Sequence, residues 1–339
     1  MLFTLHASCL KSLLAPSDGA KPKLALTDLP AYTKNTLGLS GLNLTTDLLA
    51  GADRSRLETI RERADKSGCA CLLLIETNPL PLADPDPAVA ARAVERMKAV
   101  VRAAHILGCN SAALTMTGPA TDLAQAYAVK RLKDIAEPAE RLDLNVLIAP
   151  TEGLTSVPEK VTEIIKKVGG FRIGTLPDFL SATRVKEPVP YLRRLIPYAS
   201  CVTAVTLDFE VQEIAIPKAS PRPSAADAGQ PGAAAPAGGA APEEADLEVD
   251  DIDDDDLDLE LEALAEELAD GGGDDEDEGP LEVFIHKPYD LKPLIEAVLS
   301  VGYDGSLGID YRGGGDVTMG ITRSREALRM ILDGAGRTG

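Results

Sequence analysis

The groups in this chain that could do chemistry fall at the ends of apolar runs. Asp178 closes the run Phe171–Leu176, and Ala149–Glu152 closes the run that begins at Asn145. Between them Val161, Ile164, Ile165 and Val168 recur at helical spacing, and Gly169-Gly170 marks the stop. Ser156 and Glu159 have the spacing of a capping box, with Pro158 suited to a first turn. Strand, helix and strand make a βαβ unit, with parallel strands and a right-handed crossover. Such units place their chemistry at the carboxyl ends of the strands, here Ala149–Glu152 and Asp178. A carboxylate there suits general acid–base work. His6, Glu76 and Asp208 end three further apolar runs. Arg312-Gly313-Gly314-Gly315 suggests a different task, since glycine-rich turns expose backbone N–H groups that can cradle a phosphate. Arg312 and Arg323 would supply charge there, and a flexible turn is the alternative reading of the same glycines.

Positioning these groups takes a repeat of strand and helix. Strands are expected at Leu2–His6, Leu39–Thr45, Cys69–Glu76, Asn110–Met116, Asn145–Ala149, Phe171–Leu176, Cys201–Leu207 and Ser306–Asp310. Helices are expected over Thr27–Leu37, from the Asp53 cap to Gly68, and from Asp86-Pro87 to Gly108. Further helices are expected over Leu123–Leu142 with a kink or break at Pro138, then Tyr191–Tyr198, Leu291–Val301 and Arg325–Leu332. Eight strand-then-helix steps predict an α/β fold, a (β/α)8 TIM barrel of ~250 residues. No glycine-rich dinucleotide turn follows the first strand, which counts against an open doubly wound sheet.

The net charge of -20 is local. Residues 218–280 hold 22 acidic and 2 basic side chains, so the rest of the chain is balanced. The expected organisation is barrel strands one to seven in 1–217, a disordered Pro/Ala-rich and acidic insertion in 218–280, and the barrel's end in 281–339. Leu257, Leu261, Leu264 and Leu268 place one apolar stripe in the insertion, suited to a solvated spacer or to a protein partner for this acidic arm. The flanks Val211–Ile216 and Leu281–Ile285 are expected to pair as a hairpin. Five scattered cysteines with no CxxC indicate buried free thiols. The expected location is cytoplasmic, with no membrane span, and a neutral barrel with an acidic arm offers no nucleic-acid surface. Nothing in the composition points to an oligomeric state.

GLTSVPEKV after strand five, IGTLPDF at strand six and GYDGSLGIDYRGGGD at strand eight resemble the xylose isomerase-like superfamily, with the sugar phosphate isomerase/epimerase branch as the nearest match. The resemblance implies an eight-stranded barrel and, in many members, a divalent cation. That ion (Mn, Mg or Zn) is held by glutamate, aspartate, histidine and glutamate after strands five to eight. Carried over, the strand-six ligand is Asp178 and the strand-eight acid is shortened to Asp310. The strand-five position is Ala149, and Cys201–Phe209 contains no histidine.

The first functional expectation is therefore isomerisation or epimerisation of a small sugar or sugar phosphate. Glu76 and Glu152 are the expected proton carriers, together with Asp178. A cation would sit on Asp178 and Asp310, and His6, Arg312, Gly313, Gly314 and Arg323 would hold the substrate or its phosphate. The alternative is a catalytically inactive barrel that acts as a binding or scaffold protein through its acidic arm. Cleavage of abasic DNA, known from a related branch, needs a histidine-rich polynuclear site that three histidines do not supply.

Overall fold

The structure, a computed structural model, describes residues 1–16, 21–214 and 281–335. Eight of the described strands form one all-parallel sheet: β1 (Leu2–His6), β2 (Gly41–Thr45), β3 (Ala70–Ile75), β4 (Ser111–Leu114), β5 (Asn145–Ile148), β6 (Ile173–Thr175), β7 (Cys201–Thr206) and β10 (Ser306–Tyr311). Their order is β6-β5-β4-β3-β2-β1-β10-β7. Single bridges at Thr175–Ala199 and Asp178–Thr203 join the two outer strands, so the sheet curls into a TIM barrel. The Thr203 N–H donates to the Pro177 carbonyl at 2.9 Å across this seam. Residues 1–210 with 284–339 make one compact unit and 211–283 another. The strands β8 (Phe209–Ile214) and β9 (Leu281–His286) pair as a two-stranded sheet, as their alternation implies. The acidic stretch and its leucine stripe lie outside the described residues.

Alternation along each strand separates two cores. Leu307, Ile309 and Tyr311 of β10 join the layer between sheet and helices, as do Leu42 and Leu44 of β2. The opposite faces look into the barrel, where Leu73, Ala113, Leu147, Leu176 and Cys201 pack together. Small residues leave room for Asn43 to cross the interior. Its amide donates to Thr4 Oγ1 at 2.9 Å, and a Cβ on Gly308 would come within 2.6 Å of it. On β3 the register slips between Leu42 and Asn43, which pair with Cys71 and Leu73 and skip Leu72. This bulge sets the phase of everything after it, so Ile75 points inward and Glu76 outward.

Helix ends follow the side chains. Asp53, Asp86 and Thr121 accept N-terminal backbone N–H bonds, and Gly68 and Gly108 end their helices in the left-handed region. Three local expectations are corrected. Ser156 donates to the Gly153 carbonyl, and Val157 stands at the N-cap with no side-chain bond, so no capping box forms. The helix Asp122–Arg141 continues through Pro138, because Leu132, Ile135 and Ala139 keep the flanking turns buried. The closing helix starts at Val317 and not at Arg325, with Asp316 accepting the Met319 N–H at 2.9 Å.

The barrel seam is thin, and Gly174 sits at it. A side chain there would run into the Tyr198 carbonyl oxygen. Gly174→Ala is therefore expected to cost about 1–3 kcal/mol, read from urea unfolding, and an unchanged midpoint would contradict the seam's tightness.

Candidate functional site at the barrel mouth

The inward positions at the carboxyl ends of the strands are set by the same alternation. On β10, Ser306 and Gly308 point inward, so Asp310 does too, at the mouth. On β6 the inward face is Gly174, Leu176 and then Asp178. On β5 it is Leu147 and then Ala149, and on β1 it is Thr4 and then His6.

Asp310 is the centre. Its side chain is 1% exposed, yet both oxygens are occupied. Arg312 donates to Oδ2 twice, from Nε at 2.9 Å and from Nη2 at 2.5 Å. Oδ1 accepts the Cys9 thiol and the Ser8 hydroxyl, each at 3.4 Å. His6 Nδ1 shares a 2.6 Å hydrogen bond with Ser8 Oγ and stands 3.9 Å from Oδ1. Burial pushes the carboxyl pKa up, but His6, Arg312 and Cys9 outweigh it and hold it below the ordinary value. The Cys9 thiol is driven well above its usual range, by burial first and by Asp310 second, so it stays a donor. It also accepts the Tyr311 N–H at 3.0 Å, which ties the turn after β1 to β10.

Asp178 caps the short helix Phe179–Thr183, its Oδ1 accepting the Ser181 N–H at 2.7 Å. Burial raises its pKa, against the pull of Ser181 and Arg312, and Asp310 adds to the rise. The two aspartates and Arg312 thus share one electrostatic neighbourhood. Tyr289 belongs to it: its hydroxyl donates to the Val205 carbonyl, and burial and then Asp178 push its pKa up.

The other candidates lie elsewhere. Glu76 faces the helix Pro87–Leu107, where it accepts Arg96 Nε at 2.7 Å and the Asn78 N–H at 3.1 Å. Glu152 is exposed on the turn after β5. Gly313 packs against the Tyr311 hydroxyl and the Leu207 carbonyl, and the Gly314 N–H donates to Asp208 Oδ1 at 3.2 Å. Arg323 lies 5.8 Å over the Phe284 ring. Of the nine residues read from the sequence, the structure brings together His6, Asp178, Asp310 and Arg312. Sequence reasoning missed Ser8 and Cys9, whose only signal is their place directly after β1.

It also missed His286, whose strand lies beyond the acidic stretch. Its Nε2 accepts the Leu207 N–H at 2.9 Å and its Nδ1 donates to the Tyr289 carbonyl at 2.8 Å. Phe209 and Tyr289 pack edge-on against the ring, and burial lowers its pKa. Only the neutral ring makes both bonds.

A divalent ion fits this set poorly. It needs several open carboxylate oxygens or an imidazole. Asp310 has neither oxygen open, Asp178 has one engaged, and Ala149 stands at the end of β5. Among the described residues no three His, Cys, Asp or Glu side chains converge as ligands. Two cavities lie away from the mouth. One of about 310 Å³ is at the opposite end, between Asn110, Ser200 and Asp304, and one of about 290 Å³ is between Arg54, Arg61 and His105. In neither does a buried ionisable group converge with another.

Residues 35–195 match the xylose isomerase-like TIM barrel family. That stretch is just under half of the chain. Solved structures with the same barrel agree over nearly the whole chain. An L-ribulose 3-epimerase superposes with TM-score 0.66 at 14% identity, covering 100% of this chain and 97% of its own. The IolI protein with a bound zinc atom gives 0.61 at 10%, covering 98% and 99%. The 3-keto-D-glucoside 4-epimerase YcjR from E. coli gives 0.60 at 11%, covering 97% and 99%. At such identities the likeness is one of fold. No curated protein matches in sequence. Against this shared barrel fold, the guanidinium on Asp310 is the feature to explain.

Two outcomes follow for the parts around the mouth. Arg96→Ala leaves the Glu76 carboxylate buried without its partner and is expected to cost about 1–3 kcal/mol in urea unfolding, with no loss if the pair is dispensable. His286 has a folded pKa below the ordinary 6.5. Its contribution is therefore complete above 6.5 and is lost as pH falls through that value toward the folded one. Stability should decline over that window in the wild type and less so in His286→Gln; equal slopes would contradict the locked ring.

Proposed function

We propose that this chain is a sugar isomerase/epimerase-type barrel that binds a small sugar-like molecule at its mouth without metal-assisted turnover. The observation that supports this is the state of Asp310. A carboxylate with both oxygens committed inside the protein cannot also hold an ion, whereas Arg312, half-exposed beside it, still offers donors to a hydroxyl or carbonyl oxygen. A guanidinium held in this way suits a neutral polyhydroxyl ligand, since its exposed edge can donate to more than one ligand oxygen. A second reading, isomerisation by proton transfer, draws on Asp178. It stands at an inward position, where its Oδ1 accepts the Ser181 N–H, whereas Glu76 is turned to Arg96 and Glu152 is exposed, so it is the better proton carrier of the three.

In this reading phosphate is not the handle. The Gly314 N–H already serves Asp208, and Arg323 sits on an aromatic ring. The acidic arm would recruit a protein partner of basic or apolar surface, and the location would be cytoplasmic. Among the described residues no helix is long and apolar enough to cross a membrane.

Saturation-transfer NMR against a panel of aldoses, ketoses and their phosphates tests the reading, alongside an isomerisation assay with and without Mn²⁺. The expected result is weak binding of free sugars, lost in Arg312→Ala, with no isomerised product. Mn²⁺-stimulated turnover abolished in Asp178→Asn would overturn it.

A further inference from the structure

We infer that Arg312 is a built-in cation, the covalent replacement for the divalent ion that a barrel of this type would otherwise hold between strands six and eight. The inference deepens the reading of the mouth as a binding site and rests on it only for location. The argument starts from charge. Asp310 is almost wholly buried, and Asp178 stands at the mouth with it, on the strands that lie either side of β7, so two carboxylates share one water-poor neighbourhood. Such a pair needs a positive charge. The residues that would bring a metal are changed together: Ala149 at the end of β5 carries no donor, and Asp310 reaches one methylene less far than a glutamate would.

The cation that is present comes from two residues beyond Asp310 on the same segment. Nε and Nη2 both point at Oδ2, while the far edge of the guanidinium stays half in solvent. The anchor is itself fixed from the other side. Cys9 and Ser8 hold Oδ1, so the carboxylate cannot rotate to free an oxygen without breaking the contacts of the turn after β1. A guanidinium is always charged and gives its hydrogen bonds in one plane. It therefore performs an ion's electrostatic task without depending on metal supply, and it leaves a fixed donor edge half in solvent at the mouth.

The test separates this inference from ligand binding because it needs no sugar. Mn²⁺ is titrated calorimetrically into the full-length chain, and thermal unfolding is followed with EDTA or millimolar Mn²⁺. The wild type should take up no stoichiometric Mn²⁺ and melt at one temperature in both. Arg312→Ala should melt lower and bind one Mn²⁺ with a dissociation constant on the order of 10⁻⁴–10⁻³ M, with part of the melting temperature recovered by the metal. Arg312→Lys, which keeps the charge but not the fork, should bind at least about tenfold more weakly than Arg312→Ala. If Arg312→Ala fails to fold, Asp310→Asn is compared with the wild type, and both should be blind to Mn²⁺. Stoichiometric Mn²⁺ binding by the wild type that Asp310→Asn abolishes would overturn the inference. So would an Arg312→Ala protein that folds but ignores the metal.

Discussion

Asp310 is a carboxylate almost wholly removed from water, and an ionised group in that position is tolerable only when it is paired and hydrogen-bonded. The mouth of the barrel is arranged around that requirement. Arg312 supplies the charge, Cys9 and Ser8 fill the second oxygen, and Cys9 in turn holds the Tyr311 N–H. The turn after the first strand is thereby fastened to the last strand, and the turn after the last strand is fastened to its own carboxylate. The pair shapes both the local fold and what the site can bind.

The barrel beneath supplies the geometry. Parallel strands present alternate residues to the interior, so one carboxylate per strand end reaches the mouth only if the phase is right. On β10 and β6 it is, and Asp310 and Asp178 arrive there. On β3 the skipped Leu72 turns the phase over, and Glu76 is delivered to a helix and to Arg96. A change of one residue in register decides between a site acid and a structural ion pair.

Much of this was legible in the residues. Eight apolar runs with intervening helical periodicity carry the barrel, because a parallel strand buried on both faces leaves a run that few other structures share. The hairpin flanking the acidic stretch was legible from its alternation. What escaped reading depended on tertiary context. The bulge on β3 is invisible in Cys69–Glu76, where every position is apolar up to the glutamate. The helix through Pro138 survives because its neighbours are buried, and Ser156 prefers the Gly153 carbonyl to a capping role. His286 lies far along the chain from Leu207, and only the fold brings them together. Arg312 was visible as charge beside glycines, but its partner was not. A phosphate-binding and a carboxylate-binding arginine look the same in one dimension.

The TIM-barrel architecture accounts for the shape of the mouth and not for its contents. Its contents turn on whether a guanidinium or an ion neutralises the two aspartates, and one measurement addresses that directly. Crystals of the full-length protein soaked in Mn²⁺ would be examined by anomalous diffraction at the mouth. The account predicts Arg312 on Asp310, Cys9 at its other oxygen and no anomalous peak nearby. A peak between Asp178 and Asp310, with Arg312 swung away into solvent, would contradict it.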